Sequence, residues 1–328
     1  MSQFSLTRRA ALLGVSAVGL AAPASAQSTG DWPNRAIRWI NPGPAGGAGD
    51  VLSRLVGDRL GARLGQPVVV DNRPGAGTNI GMTAVARAPA DGYTVGLASI
   101  AANAANKWLY RNMPFDPEKD FAAIGMIALV PNIVVIPPSV PARNLQEFIA
   151  WARAQNRPVN FGSVGAGSSQ HLAGSQFQII TGLPMQHLPY TNSGQMNTDL
   201  IEGRIDMLFQ SISAVTQMAQ TGRMRPVAVS GAERVSAFPD LPTMKEQAVD
   251  IVSTGWFGLC APTGVPEPIL ARLETELLAA MEEPELRGRI TTGGSLPRRM
   301  GRVEFAEFMA AESARWRVVV QAVGATAD

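Results

Sequence analysis

The run Asn41-Pro42-Gly43-Pro44-Ala45-Gly46-Gly47-Ala48-Gly49-Asp50 decides how this chain is read. Before it stands the apolar stretch Ile37 to Ile40, which reads as a strand. After it, Val51 to Leu64 repeats apolar residues at helical spacing. A glycine-rich turn between strand and helix lets the backbone come close to a ligand, because no Cβ stands in the way. The turn also aims unpaired helix N–H groups, and the positive end of the helix dipole, at whatever lies there. That makes a site for a small anion such as phosphate or carboxylate. A turn with no ligand is the competing reading of the same residues.

Phosphate loops do not fit. A Walker loop needs Gly-Lys-Ser/Thr at the helix start, and no lysine follows these glycines. A dinucleotide fingerprint needs G-x-G-x-x-G. The spacing is wrong here, and Gly75-Ala76-Gly77-Thr78-Asn79-Ile80-Gly81 misses it by one residue.

Working outward, strands and helices alternate. Val68–Val70, Tyr93–Leu97, Val159–Phe161, Met185–Leu188, Ile205–Phe209, Val227–Val229 and Trp256–Ala261 read as strands. Phe121–Val130 and Ile133–Ile136 are two more apolar runs of strand length. Helices are predicted at 79–87, 101–110, 145–154, 194–202 and 214–219, with Ile269–Met281 and Val303–Ala322 closing the chain. This alternation predicts α/β layers with mainly parallel sheets. Val159–Phe161 is followed by a second glycine-rich turn, Gly162-Ser163-Val164-Gly165-Ala166-Gly167-Ser168-Ser169, and a helix through Ile180. Two strand–turn–helix units suggest two lobes. Their turns would face one cleft, since open α/β sheets bind ligands beyond the carboxyl ends of their strands.

The start of the chain addresses it for export. Arg8-Arg9, the apolar run Ala10 to Leu20 and the A-x-A-like site Ala24-Ser25-Ala26 have a signal-peptide layout, so residues 1–26 are set apart from the fold. Thr7-Arg8-Arg9 with Leu12-Leu13 fits a twin-arginine signal, and ordinary Sec export fits equally. The expected location is the periplasm. Of 28 basic residues the signal removes Arg8 and Arg9, leaving 26 against 26 acidic ones. The whole-chain pI of 9.0 is therefore no nucleic-acid signature. Cys260 is the only cysteine and there are two histidines, so neither a disulfide nor a Cys- or His-based metal cluster is expected.

Many ordered motifs carry a resemblance. They include Trp32-Pro33-x-Arg35-x-Ile37-Arg38, Pro42-x-Pro44-Ala45-Gly46-Gly47-Ala48-x-Asp50, and the diagnostic run Gly65-Gln66-Pro67-Val68-Val69-Val70-Asp71-Asn72-Arg73-Pro74-Gly75-Ala76-Gly77. Ala90-Asp91-Gly92-Tyr93-Thr94, Tyr110-Arg111-x-Met113-Pro114-Phe115-Asp116-Pro117, Phe161-Gly162-Ser163, His171-Leu172-Ala173-Gly174, Pro189-Tyr190 and Trp256-Phe257-Gly258-Leu259-Cys260-Ala261-Pro262 follow in order. Across the mature chain this resembles the Bug-type periplasmic solute-binding proteins, receptors of tripartite tricarboxylate transporters.

The resemblance implies an α/β, two-lobe periplasmic-binding-protein fold (Venus flytrap, type II-like). Each lobe would hold a mainly parallel sheet, with a hinge of crossing segments. Lobe one would comprise 27–127 plus 252–328 and lobe two 128–251, with crossings near Val130 and Val252. It implies a carboxylate ligand held by backbone N–H groups and hydroxyls, partly through water. Onto this chain that maps to Gly46, Gly47 and Asp50 in lobe one and to Ser163, Gly167, Ser168 and Ser169 in lobe two. Ser99, Ala102 and Asn103 would form another wall, with Tyr190 and Gln210 beside them. The implied role is a receptor without catalysis or cofactor, serving a membrane permease of the tripartite type or, alternatively, a sensor kinase, and acting as a monomer. Hydrogen bonds to a charged group contribute roughly 1.5–3 kcal/mol each. Several would offset association costs and give micromolar binding, near about −8 kcal/mol. Asp50, at the helix start, is expected to cap the next turn and to meet an anion only through backbone or water.

Four departures from the family pattern bear on specificity. Gly43 stands where an aromatic is usual, and Gly49 where Thr or Ser is common. Thr191-Asn192 replaces Lys-Gly after Pro189-Tyr190, and Gln210 replaces a frequent Asp. A wider, more neutral distal pocket is expected, suited to an aromatic or monocarboxylate ligand rather than citrate.

An exported α/β hydrolase is the enzyme alternative. Phe161 occupies the first glycine position of a G-x-S-x-G elbow. His171 follows Ser168-Ser169, yet residues this close at a helix start rarely face each other as nucleophile and base, and His171 reads as an interior helix residue. Cys260 reads as core, and Glu282-Glu283 and Arg298-Arg299 as surface charges. For Trp39, Trp256 and Tyr190, core packing and ligand stacking both remain open.

Overall fold

Ile37, Trp39 and Ile40 are fully buried, and they anchor β1 (Ile37–Asn41) at the centre of a parallel trio. The computed structural model describes residues 31–323 and 326; the expected signal segment lies outside them. In the first lobe β1 is followed by α1 (Ala48–Leu64), β2 (Val68–Asn72), α2 (Asn79–Ala86), β3 (Thr94–Ser99), a π-helical turn at Ala101–Ala105, and α3 (Asn106–Leu109). Glycine ends α1: Gly65 takes φ +72, which a side chain would resist. The long β4 (Phe121–Ile136) leads to α4 (Leu145–Arg153), β5 (Val159–Ser163), α5 (Ser169–Thr181), β6 (Met185–Pro189), α6 (Ser193–Ile201), β7 (Met207–Ser211), α7 (Ile212–Gln220) and β8 (Arg225–Val229). Then β9 (Thr254–Pro262) returns to the first lobe, with α8 (Glu267–Ala280), α9 (Pro284–Thr292), β10 (Leu296–Met300) and α10 (Arg302–Val323).

Among the described residues these strands form one mixed sheet in the order β2-β1-β3-β9-β4-β7-β5-β6, with β8 and β10 also pairing with β4. The expected parallel sheets are the two trios: β1 pairs parallel with β2 and β3, and β5 with β6 and β7. The crossing strands add antiparallel pairs on β4 and β9, so each lobe is mixed rather than purely parallel.

Pro131 made two strands of what is one. It lacks an N–H to donate, and β4 changes partner at that point. Through Pro131, which lies opposite Thr254, β4 follows β9; from Asn132, which lies opposite Ser211, it follows β7. Proline therefore sits where the ladder changes hands and costs little. The α9 and β10 segments escaped the sequence reading. In α9 only Leu286 and Ile290 are buried, too few to mark a helical face.

Ser230 ties the two crossing segments together. Its Oγ donates to the Ser253 carbonyl at 2.6 Å and accepts from the Asn132 N–H at 3.0 Å. Its own N–H donates to the Asn132 carbonyl at 2.8 Å, and its carbonyl accepts from Ser253 at 2.9 Å. Nearby, buried Glu312 of α10 accepts from the indoles of Trp256 at 3.1 Å and Trp316 at 3.0 Å, fastening the last helix to β9. Trp316 and Phe305 of α10 are fully buried, as are Phe148, Phe161, Phe177 and Phe209 in the second lobe. Each such side chain contributes roughly 1.5–3 kcal/mol by leaving water.

Replacing Ser230 by Ala orphans a buried acceptor and a buried donor at once, at about 1–3 kcal/mol each. A fall of about 2–4 kcal/mol in unfolding free energy is expected, read as a lower urea midpoint at constant m-value. An unchanged midpoint would show that the crossing segments hold without this knot.

Candidate functional site

A cavity of about 400 Å³ opens between the lobes. Three helices begin on its wall. The first is α1, whose N-cap is Gly47 and whose first turn has no side-chain cap. The second is α5, where Ser168 caps only the His171 N–H, leaving those of Ser169 and Gln170 without intrahelical partners. The third is α7, whose N-cap Ser211 makes no capping bond through its side chain.

These starts gather at one pole. A Cβ placed on Gly255 would lie 2.9 Å from Ser169 Oγ, and one on Gly49 would lie 3.4 Å from the Phe257 ring. Gly255 and Phe257 are two residues apart on β9, a separation of about 7 Å. Asn132 joins them: its amide donates to Ser169 Oγ at 3.2 Å, and it lies opposite Ser211 in the sheet. Accepting that bond leaves the Ser169 hydroxyl proton free to donate. Gly49 is glycine for space, because a Cβ there would come within 2.8 Å of Leu97. Among the described residues no Lys, Arg, His, Asp or Glu lines the cavity. Positive potential there would have to come from helix ends, worth roughly half a charge each.

Of the predicted positions, Gly47, Ser99, Ser168, Ser169, Tyr190 and Gln210 line the cavity. Gly46, Asp50, Ala102, Asn103, Ser163 and Gly167 do not, and each has a structural task behind the wall. Asp50 does not cap the following turn; it reaches back to the Gly46 N–H at 2.8 Å and accepts from Asn72 at 3.0 Å and Arg54 at 2.9 Å. Burial alone would raise its pKa, but these donors outweigh burial and hold it below the ordinary carboxylate value. Asn103 accepts from the Ser99 N–H at 3.0 Å, and the Ala102 N–H donates to Ser99 Oγ at 3.3 Å, so both position Ser99. Tyr190 presents its ring. Its hydroxyl donates to Asp199 at 2.8 Å, and burial together with that carboxylate pushes its pKa up to about 12. Gln210 accepts from Gln170 at 2.6 Å and donates to Asn197 at 3.2 Å, a neutral chain where an acid would bring charge. Trp39 is core, and Trp256 is core with one edge at the cavity. Cys260 is buried against the Gly96 carbonyl, with its thiol pushed up to about 12 by burial.

Sequence reasoning missed the segment 74–78, Asn132, and Gly255 and Phe257 on either side of Trp256. The first had a signal: Gly75-Ala76-Gly77 was singled out, then set aside because its spacing suits no dinucleotide. Gly75, Ala76, Gly77 and Thr78 all have positive φ, and such strained backbone concentrates at functional sites. Asn132 was visible as the polar break in an apolar run. The lobes meet across the mouth, where a Cβ on Gly77 would lie 2.9 Å from the Ala166 carbonyl and one on Gly167 would collide with Asn106 Oδ1.

Two histidines brace the second turn from behind. The Gly167 N–H donates to His171 Nδ1 at 3.2 Å, and His187 Nε2 lies 2.6 Å from Ser163 Oγ. Their rings stack at 4.1 Å. Burial lowers His171 to about 4; burial and the neighbouring His171 lower His187 to about 3. The Ser163–His187 contact has a nucleophile's geometry, but Ser163 is fully buried and off the cavity wall. Ser168 Oγ donates to the Gly165 carbonyl at 2.7 Å and has no imidazole nitrogen as base. Among the described residues no cluster of His, Cys, Asp and Glu could hold a metal.

The sequence profile described as "Tripartite tricarboxylate transporter family receptor" matches residues 52–325. The chain belongs to this receptor family. Protein BugT of Bordetella pertussis is 33% identical over 325 residues, covering 98% of this chain and 99% of BugT. Among solved structures, R. palustris Rpa4515 with adipate superposes with a TM-score of 0.86 at 34% identity, covering 90% of this chain and 99% of that one. MatC from Rhodopseudomonas palustris with bound malate gives 0.83 at 27% identity, covering 88% and 100%. This receptor is thus a solute-binding protein of the two-lobe type and not an enzyme.

The histidine pair sets an acid limit on this receptor. Unfolded histidines take up protons near 6.5, but these stay neutral in the fold until about 4 and 3. Stability is therefore whole above pH 6.5 and falls as pH drops from there toward 3. By pH 5 the loss is about 2 kcal/mol per histidine. Urea midpoints measured from pH 7.5 to 5 should fall less steeply in His187→Gln than in the parent. Parallel curves would show the pair does not set the limit.

Proposed function

We propose that this receptor captures a small carboxylate-bearing solute in the cavity between its lobes and delivers it to a tripartite-type membrane permease. The observation that carries this reading is the meeting of three helix N-termini on a wall without charged side chains. Such a pole favours an anion, and a carboxylate is small enough to bond several N–H groups and the Ser169 hydroxyl together. The adipate of Rpa4515 and the malate of MatC support the same ligand class. Gly47, Ser99, Ser168 and Ser169 are the contacts we assign, with Gln210 and the Tyr190 ring bounding the pocket.

Lobe one is taken as 27–127 with 252–328 and lobe two as 128–251, moving as rigid bodies about the segments that Ser230 joins. Ligand favours the closed arrangement because only there do both glycine-rich turns reach it. The permease then reads the closed form of a periplasmic monomer.

Native mass spectrometry of the protein from its own periplasm should find one organic acid per chain. At one hundred times its Kd that acid should raise the melting temperature by about 4 °C. No bound acid, and no shift with any mono-, di- or tricarboxylate, would overturn the reading. Gly167→Ala forces φ +76 on a side chain and drives its Cβ into Asn106. The strain is common to open and closed forms, but the collision with Asn106 of the other lobe opposes closure alone, so the acid should bind about tenfold more weakly or worse. Unchanged affinity would show that closure does not bring these segments together.

A further inference from the structure

We infer that the ligand carries a single carboxylate on a neutral, largely apolar body, an aromatic monocarboxylic acid being the best fit. This deepens the carboxylate-receptor reading and rests on it. Three features of the cavity lead there.

The anion-binding features lie at one end. The starts of α1, α5 and α7 and the Asn132–Ser169 pair gather about Gly255–Phe257, and one carboxylate is enough to occupy them. The rest of the wall includes Pro74, Ala76, Val164 and Tyr190, surfaces that suit a flat apolar body.

Several polar side chains of the wall are already engaged with protein partners. Tyr190 donates outward to Asp199, and Gln170 donates to Gln210, which donates to Asn197. At the start of α6, Asn192 already accepts from the Gln195 N–H at 3.0 Å. Thr191 and Ser193 bring hydroxyls there, as Thr78 does from the facing segment, and these can meet a neutral phenol or carbonyl.

Among the described residues no charged side chain lines the cavity. A second carboxylate would shed water against prolines and a tyrosine ring with no cation to offset the loss. A third, as in citrate, would add repulsion between the charges themselves.

Isothermal titration of the protein purified from the periplasm and exhaustively dialysed tests this. The probes are benzoate, 4-hydroxybenzoate and 3-phenylpropionate against succinate, adipate, terephthalate and citrate, with benzamide as the uncharged control. At least one aromatic monoacid should bind tenfold or more tighter than every di- or tricarboxylate, and benzamide should not bind. Exposed Thr191 offers a gain-of-function arm: Thr191→Lys should bind terephthalate at least tenfold tighter than the parent does. A dicarboxylate binding as tightly as the best monoacid, or Thr191→Lys gaining nothing, would overturn this inference and leave the carboxylate receptor standing. Failure of every acid, or equal binding of benzamide and benzoate, would overturn the carboxylate reading as well.

Discussion

Two lobes can share one ligand only if the chain crosses between them without losing its sheet, and that constraint falls on Asn132, Ser230 and Ser253. At Pro131 the ladder from β9 ends and at Asn132 the ladder to β7 begins. Ser230 closes the gap with four hydrogen bonds made by its hydroxyl, N–H and carbonyl. An interruption of a buried sheet would otherwise leave backbone groups unpaired, at a cost comparable to lost hydrogen bonds. Asn132 serves both purposes: its backbone holds the crossing and its side chain reaches Ser169 at the cavity. The strand crossing and the cavity wall thus share Asn132.

The preference for anions that we propose for the cavity needs no cation. Helix ends and serine hydroxyls supply partial positive charge, and they are fixed before ligand arrives, so little is lost to reorganisation on binding. Lysine or arginine on the wall would add attraction but would need burial or pairing of its own. The charges that do lie near are neutralised behind the wall, Asp50 by Arg54 and Asp199 by Arg204. The glycines serve the same economy of space. Gly49 keeps α1 close to Leu97 and Phe257, and Gly167 lets α3 and the second turn meet.

The histidine pair shows how structure behind the wall shapes it. Neutral imidazoles accept or share protons with Gly167 and Ser163, holding the second glycine-rich turn in a conformation rich in positive φ. Because burial keeps both rings neutral far below their ordinary pKa, the turn does not change charge with ordinary swings in pH. Sequence alone marked both histidines as poor metal ligands and His171 as interior, but it gave no sign that the two stack.

Much of the fold was legible because its signals are local. Apolar runs such as Ile37–Ile40, helical spacing in Val51–Leu64 and two glycine-rich turns are properties of neighbouring residues, and they were enough for the α/β class and the two strand–turn–helix units. Composition fixed the absence of a disulfide framework. The order of the strands, the antiparallel crossing of β4 and β9, and the change of partner at Pro131 depend on residues from dozens to more than a hundred positions apart, which no local pattern reports. The same holds within the site. Residue type singled out Gly47, Ser168 and Ser169, which line the cavity, but only packing decided that Asp50 turns back to Gly46, that Tyr190 gives its hydroxyl to Asp199, and that Gly255 and Phe257 lie beside Ser169 and Gly49. A side chain's type sets what it can bond, whereas its direction is settled by whichever neighbours the completed fold brings within reach.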